Sequence, residues 1–227
     1  MIFSKKELLN ANKWIVEKKL VELTWGNVSC FNRRDNVVFM KPSGVNLNEI
    51  TENDISSLKI DQTRLSGKKP SVDTPTHLEI YRNFNEINCV IHTHSKYATI
   101  FAQANMPIPC LGTTHADYFY GDIPCVNHPS ITKVSDNYEL ETGKEICNFF
   151  KKNNIDPLEI GGCLVNGHGV FCWGNDIEKT LEKALVLEIL AEMAHKTILL
   201  NPNIKLKKFI LDKHFLRKHG AKKYYGQ

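Results

Sequence analysis

The sequence has no Cys-x-x-Cys pair, no Gly-x-Gly-x-x-Gly or Walker-type glycine loop, and no apolar run close to the roughly 20 residues that cross a bilayer. Each absence excludes a class. The seven cysteines, at positions 30, 89, 110, 125, 147, 163 and 172, are too scattered for a zinc finger, and neither their odd number nor the chain length suits a disulfide scaffold. A reducing cytoplasm fits them, with most of the thiols as buried filler. The missing glycine loops leave nucleotide cofactors without support. Ala184 to Ala194, the most apolar late stretch, is interrupted by Glu188 and Glu192, and the N-terminus runs at once into Lys5, Lys6 and Glu7. A soluble protein with neither a membrane span nor a secretory leader is therefore expected.

Acidic surplus is also lacking. The chain of 227 residues carries a formal charge of +4, but residues 205–227 hold eight Lys/Arg against the single acid Asp212. That segment is at +7, which leaves residues 1–204 at −3. With 42% hydrophobic and 24% charged residues, the composition is that of one globular domain with a full core.

Ser4 with Glu7 three residues on forms a capping-box pattern, followed by Leu8, Ala11, Ile15 and Leu20 at near-helical spacing, so a helix opens the chain and ends before Trp25-Gly26. Val37 to Met40 reads as a strand entering the turn Lys41-Pro42-Ser43-Gly44. Thr74-Pro75 marks a helix start running to about Phe84, and a strand follows at Cys89 to Thr93. Lys144 to Lys152 reads as helix, Cys163 to Val165 and Val170 to Trp173 as strands about a Gly-rich turn, and Asp176 to Leu200 as a long helix closed by Pro202. No repeat or linker divides the chain, and one α/β domain with a basic helical tail is the economical reading.

Val90-Ile91-His92-Thr93-His94 sets two histidines at i and i+2 on a strand, where alternation sends both imidazoles to one face. Either they chelate a metal or they form hydrogen bonds at a strand end. Asn166-Gly167-His168-Gly169 adds a third histidine in the glycine turn between two strands, and three imidazoles would leave a zinc-type ion an open position for chemistry. Asp73, just ahead of the Thr74-Pro75 helix start, is either a fourth ligand or an acid complementing the helix dipole. His77, His128, His195 and His219 receive no role. Ser71-Val72-Asp73 at a helix N-terminus and Lys41-Pro42-Ser43-Gly44 are candidate anion sites, each weak alone, and any phosphate would belong to a small substrate.

The segments Leu23 to Ser29, Lys41 to Val45, Asp73-Thr74-Pro75-Thr76-His77, His92-Thr93-His94-Ser95 and Gly112 to Gly121 together resemble the L-ribulose-5-phosphate 4-epimerases of the class II aldolase/adducin-like family. The tail, Leu211 to Lys222 with the closing Tyr224-Tyr225-Gly226-Gln227, resembles the epimerase C-terminus rather than that of aldolases of the same fold. This resemblance implies a three-layer α/β/α single domain over residues 1–227, whose basic tail 205–227 packs at a subunit interface of a homotetramer. It implies a divalent ion, Zn²⁺ or else Mn²⁺ or Co²⁺, on Asp73, His92, His94 and His168. By the same resemblance, substrate contacts fall on Gly26, Asn27, Ser43, Gly44, Ser71 and Val72, where Val72 replaces a serine common in the family and loses its hydroxyl. The acid/base pair falls on Asp117 and on Tyr225 from the neighbouring subunit's tail, and His214 is a candidate for shaping that neighbouring site.

The implied reaction interconverts L-ribulose 5-phosphate and D-xylulose 5-phosphate. C4 carries no acidic proton, so its inversion calls for cleaving and remaking the C3–C4 bond. The expected partners are a sugar phosphate and further copies of the chain, with neither nucleic acid nor membrane, in the cytoplasm. A class II aldolase of the fuculose or rhamnulose 1-phosphate type is the alternative, and a metal-free scaffold like the adducin head domain is a further rival that the three histidines oppose.

Overall fold

The computed structural model describes residues 2–225; Met1, Gly226, Gln227 and the side chains of residues 131–136 lie outside the description, so the last two residues of the tail motif do too. One eight-stranded sheet forms the middle layer. In chain order its strands are β1 (Gly26–Asn32), β2 (Val37–Met40), β3 (Ser56–Leu58), β4 (Arg64–Ser66), β5 (Cys89–Thr93), β6 (Cys125–Val126), β7 (Gly162–Val165) and β8 (Gly169–Gly174). Their spatial order is β4-β3-β2-β1-β5-β8-β7-β6, antiparallel throughout except for the parallel β6–β7 pair.

The period-2 alternation of side chains sorts the central strands into two faces. Val90, Phe171 and Trp173 bury against helices α2 (Thr74–Asn83) and α5 (Ile131–Lys152), through Leu78, Tyr81, Ile146 and Phe150. Their neighbours Cys89, Ile91 and Cys172 bury on the opposite face, against α1 (Lys5–Glu17) and α7 (Ile177–Leu200), and α3 (Lys96–Gln103) packs on α7 beside them. The result is the expected three-layer α/β/α arrangement. Short helices α4 (Thr113–Ala116) and α6 (Pro157–Ile160) lie in connections, and α8 (Lys208–His219) forms the tail and packs on α4.

Local chemistry accounts for the ends of several elements. The Ser4/Glu7 capping box forms at α1, but the helix stops at Glu17 instead of carrying Leu20 on its stripe. Lys19 enters the left-handed region at φ 57°, while its N–H donates to Val16 O and that of Leu20 donates to Ile15 O. This double closure of a helix end lets Leu20 reach the core from outside the helix. Asp176 caps α7 by accepting from the Lys179 N–H. The helix expected over 144–152 begins earlier, at Ile131, and is broken by non-helical backbone at Asn137. Six of the seven cysteines are buried and Cys125 is partly so, as expected of filler, and all are free thiols.

Candidate metal centre

β5 lies between β1 and β8 with His92 paired to Asn27 on one side and to Phe171 on the other. That register sets His92, and His94 just past the strand end, beside the β7–β8 turn holding His168. Gly167 makes the turn possible at φ +66°. Gly169 allows the close approach, since a Cβ there would lie 2.7 Å from Thr93 O and 3.4 Å from both the His92 and His94 rings. The candidate ligand nitrogens of His92, His94 and His168 all lie within 4.8 Å of one another.

At His92, Nδ1 faces the Val170 carbonyl at 2.9 Å. A carbonyl only accepts, so Nδ1 carries the proton and Nε2 presents a lone pair. That Nε2 is 3.1 Å from His94 Nε2, a spacing suited to two nitrogens sharing one ion with bonds of roughly 2 Å. His92 also stacks on Phe171 with ring centroids 4.2 Å apart, which locks its orientation. Burial pushes His94 down to about 4 and His168 down to about 3, the neighbouring imidazoles adding to the effect, and lowers His92 as well. All three are therefore neutral, the ligand form, at pH 7. Three neutral, converging imidazoles fit a zinc-type divalent ion.

Asp73 is the N-cap residue of α2, yet its carboxylate makes no capping bond. It lines the same cleft but lies outside the tight histidine group: Asn27 Nδ2 donates to its Oδ2 at 2.7 Å and Ser71 Oγ at 3.2 Å. Burial opposes its ionisation, and the His92 and His77 imidazoles with the Asn27 amide outweigh that to hold its pKa below the ordinary carboxylate value.

The two candidate anion segments, far apart in sequence, are side by side. Ser43 N–H donates to Lys69 O, Ser71 N–H donates to Lys41 O, and Pro42 bridges to Pro70. The cleft so formed, about 350 Å³, is lined by Gly26, Ser43, Gly44, Ser71 and Val72 together with Asp73 and the three histidines. Asn27 stands behind it, with Oδ1 buried and without a hydrogen-bond partner. Lys41 also lines the cleft, 2% exposed, its pKa lowered by burial against the pull of Asp73. No carboxylate is within ion-pair distance of Lys41 among the described residues.

Sequence reasoning offered Lys41 as the cation of a candidate anion turn, and missed Tyr138 and Glu139, which also line the cleft. Both follow the break at Asn137, and the Tyr138 hydroxyl is 3.3 Å from His168 Nδ1. No spacing rule flags them, because a break in a helix decides where they fall. His77, given no role, is fully buried and binds Ser29 Oγ through Nδ1 at 2.7 Å.

Asp117 and Tyr225 are not in this cleft; one chain holds them together elsewhere. Arg217 donates through Nη2 to Asp117 Oδ2 and through Nε to Oδ1, and His214 Nδ1 is 3.1 Å from the same Oδ1. The Tyr225 ring lies 4.3 Å from the Arg217 guanidinium carbon. Four residues of the tail motif thus surround or touch Asp117 and its arginine, His219 among them through the Asp117 carbonyl.

Residues 6–195 match the model of the Class II Aldolase and Adducin N-terminal domain. Among solved structures, an L-fuculose 1-phosphate aldolase is similar at 22% identity over 92% of this chain and 93% of that one, with a TM-score of 0.77. YgbL from Escherichia coli, a proposed aldolase/epimerase/decarboxylase, is 20% identical over 92% and 96%, TM-score 0.72. The L-fuculose-1-phosphate aldolase of Thermus thermophilus is 19% identical over 89% and 98%, TM-score 0.65.

Proposed function

The chain belongs to the class II aldolase and adducin N-terminal domain family, and from that premise we propose that it is a metal-dependent L-ribulose-5-phosphate 4-epimerase working by C3–C4 cleavage and re-formation. The observation that carries the metal-assisted sugar-phosphate reading is the convergence of His92, His94 and His168 beside the anion cradle of Lys41, Ser43 and Ser71. The tail motif around Asp117 and Arg217 favours the epimerase over an aldolase that releases its product.

In this reading His92, His94 and His168 hold a divalent ion, zinc or else manganese or cobalt, with Asp73 supplying the negative charge that three neutral imidazoles lack. The bound ion supplies Lewis-acid stabilisation of the negative charge left on the ketose fragment when the C3–C4 bond breaks. Lys41, Ser43, Gly44, Ser71 and the backbone at Val72 anchor the phosphate, and Gly26 and Asn27 shape the floor. Anchoring keeps the aldehyde fragment in place while its carbonyl turns over. A base takes the C4 hydroxyl proton as the bond breaks, and an acid on the opposite side returns one as the bond re-forms through the other face. Asp117 and Tyr225 take these roles from a neighbouring copy in a homotetramer, delivered as one unit because Arg217 joins them.

The second reading, a class II aldolase of the fuculose or rhamnulose 1-phosphate type, is supported by the likeness to the fuculose-phosphate aldolases. One assay separates the two. Zinc-loaded protein, chelated protein, Tyr225→Phe and His94→Asn are each given L-ribulose 5-phosphate. D-xylulose 5-phosphate formed only by loaded wild-type protein supports the epimerase. Accumulation of free glycolaldehyde phosphate points to an aldolase, and no turnover at all overturns the epimerase.

A further inference from the structure

A second cavity, about 610 Å³, opens between α7 and the tail and shares no lining residue with the histidine cleft. Its walls carry Lys179 and Lys183 from α7, Lys218 and His219 from α8, and Lys223 beyond it, against one acid, Glu182. Glu182 is already engaged, since the Tyr118 hydroxyl donates to its Oε1. Among the described residues Lys179, Lys183 and Lys218 have no carboxylate within ion-pair distance.

Two of these cations are held rather than left waving in solvent. The Lys183 chain lies over Gly161, where a Cβ would come within 2.3 Å of Nζ. Burial lowers its pKa from the ordinary lysine value, the cost of an ammonium without an anionic partner. The Lys218 ammonium sits 3.9 Å from the centroid of the Tyr118 ring. Leu158 and Tyr118 give the cavity an apolar side. Nucleic acid would need an open basic stripe, whereas this is a concave space of small-molecule size.

We infer that this cavity is a second anion site, built to take a small metabolite carrying two phosphate groups. Lysines suit phosphate as point charges, and Lys179, Lys183 and Lys218, facing one engaged acid, match a ligand of high negative charge. His219 links the site to the tail cluster, because it lines the cavity while its Nε2 donates to Asp117 O at 2.9 Å. The inference does not depend on which reaction the histidine cleft performs.

The test is calorimetric titration of the full-length, zinc-loaded protein with fructose 1,6-bisphosphate as probe, at fixed ionic strength with sulfate as the competitor. The expected result is saturable binding that resists sulfate, weakened about tenfold or more by the Lys183→Met/Lys218→Met pair and unchanged in His94→Asn. Lys179→Glu, at the first turn of α7, provides an independent arm should the paired variant fail to fold, and is expected to weaken binding similarly. Absence of binding beyond that of sulfate overturns the proposal. So does undiminished affinity in the lysine variants, or loss of binding in His94→Asn, which would place the probe in the histidine cleft.

Discussion

Arg217 grips both carboxylate oxygens of Asp117, a residue 100 positions earlier, with Nη2 2.8 Å from Oδ2 and Nε 3.1 Å from Oδ1. The planar fork of the guanidinium fixes the plane of the carboxylate as well as its position. It also forms the surface on which Tyr225 lies. A helix from the basic tail is thereby tied to the end of α4, and the two proposed acid/base groups are held in one constellation.

Arg217→Lys keeps the charge and loses the fork. Turnover of L-ribulose 5-phosphate is expected to fall at least about tenfold, because a misaligned acid/base group loses its positioning advantage, while KM changes little. Steady-state kinetics with a thermal melt alongside checks this; an unchanged kcat would remove Arg217 from the positioning of Asp117.

Gly169→Ala places a methyl group against Thr93 O and the rings of His92 and His94. Crowding of this kind costs about 1–3 kcal/mol, and here it prises β8 from β5 where the imidazoles converge. Both the urea midpoint and the affinity for zinc are expected to fall, the latter by about tenfold or more. A competitive zinc titration reads the second effect, and full affinity in the variant would mean that the strands separate without moving the ligands.

Zinc is expected to raise the melting temperature of the wild type, as any ligand bound only by the folded state does, by about 2.7 kcal/mol of added stability at a hundredfold excess over Kd. His94→Asn should abolish the increment. Differential scanning calorimetry with and without the ion decides, and an equal increment in both proteins would locate zinc elsewhere.

Acid sensitivity follows from two buried imidazoles, His77 and His115, which burial pushes down to about 3 and about 4. Their folded-state values lie below the unfolded value of about 6.5, so the unfolded chain binds protons first. The stability they preserve is complete above about pH 6.5 and is lost as pH falls from there, toward about 4 for His115 and about 3 for His77. At about pH 5 the loss from His115 alone is about 2 kcal/mol. Urea unfolding at about pH 7.5 and about pH 5 should show a smaller difference in His115→Gln than in wild type; equal differences would mean that His115 does not carry this acid sensitivity.

Much of the fold was legible along the chain because the signals were local. The capping box at Ser4 and Glu7, the Thr74-Pro75 start of α2, the strand at Cys89–Thr93 and the long α7 all form as read. What was missed depended on neighbours. The early end of α1 turns on a lysine in a left-handed conformation, which no local preference favours. The full length of α5 and its break at Asn137 carry Tyr138 and Glu139 into the cleft, and helical periodicity has no means of announcing a break.

The site divides along the same line. By itself the sequence determined the class of chemistry: a His-x-His pair on a strand and a histidine in a glycine turn carry metal-ligand character wherever they are placed, because residue type and strand alternation are local properties. Only the tertiary structure decided that β5 and β8 are neighbours, so that three imidazoles meet, that Asn27 and Ser71 engage Asp73, and that the turns at Lys41 and Ser71 form one cradle. It also decided that His214 and Arg217 of the tail hold the Asp117 carboxylate at the end of α4. Those facts are contacts between residues tens of positions apart, and they arise from strand order and packing, which are settled by which apolar faces must be buried together.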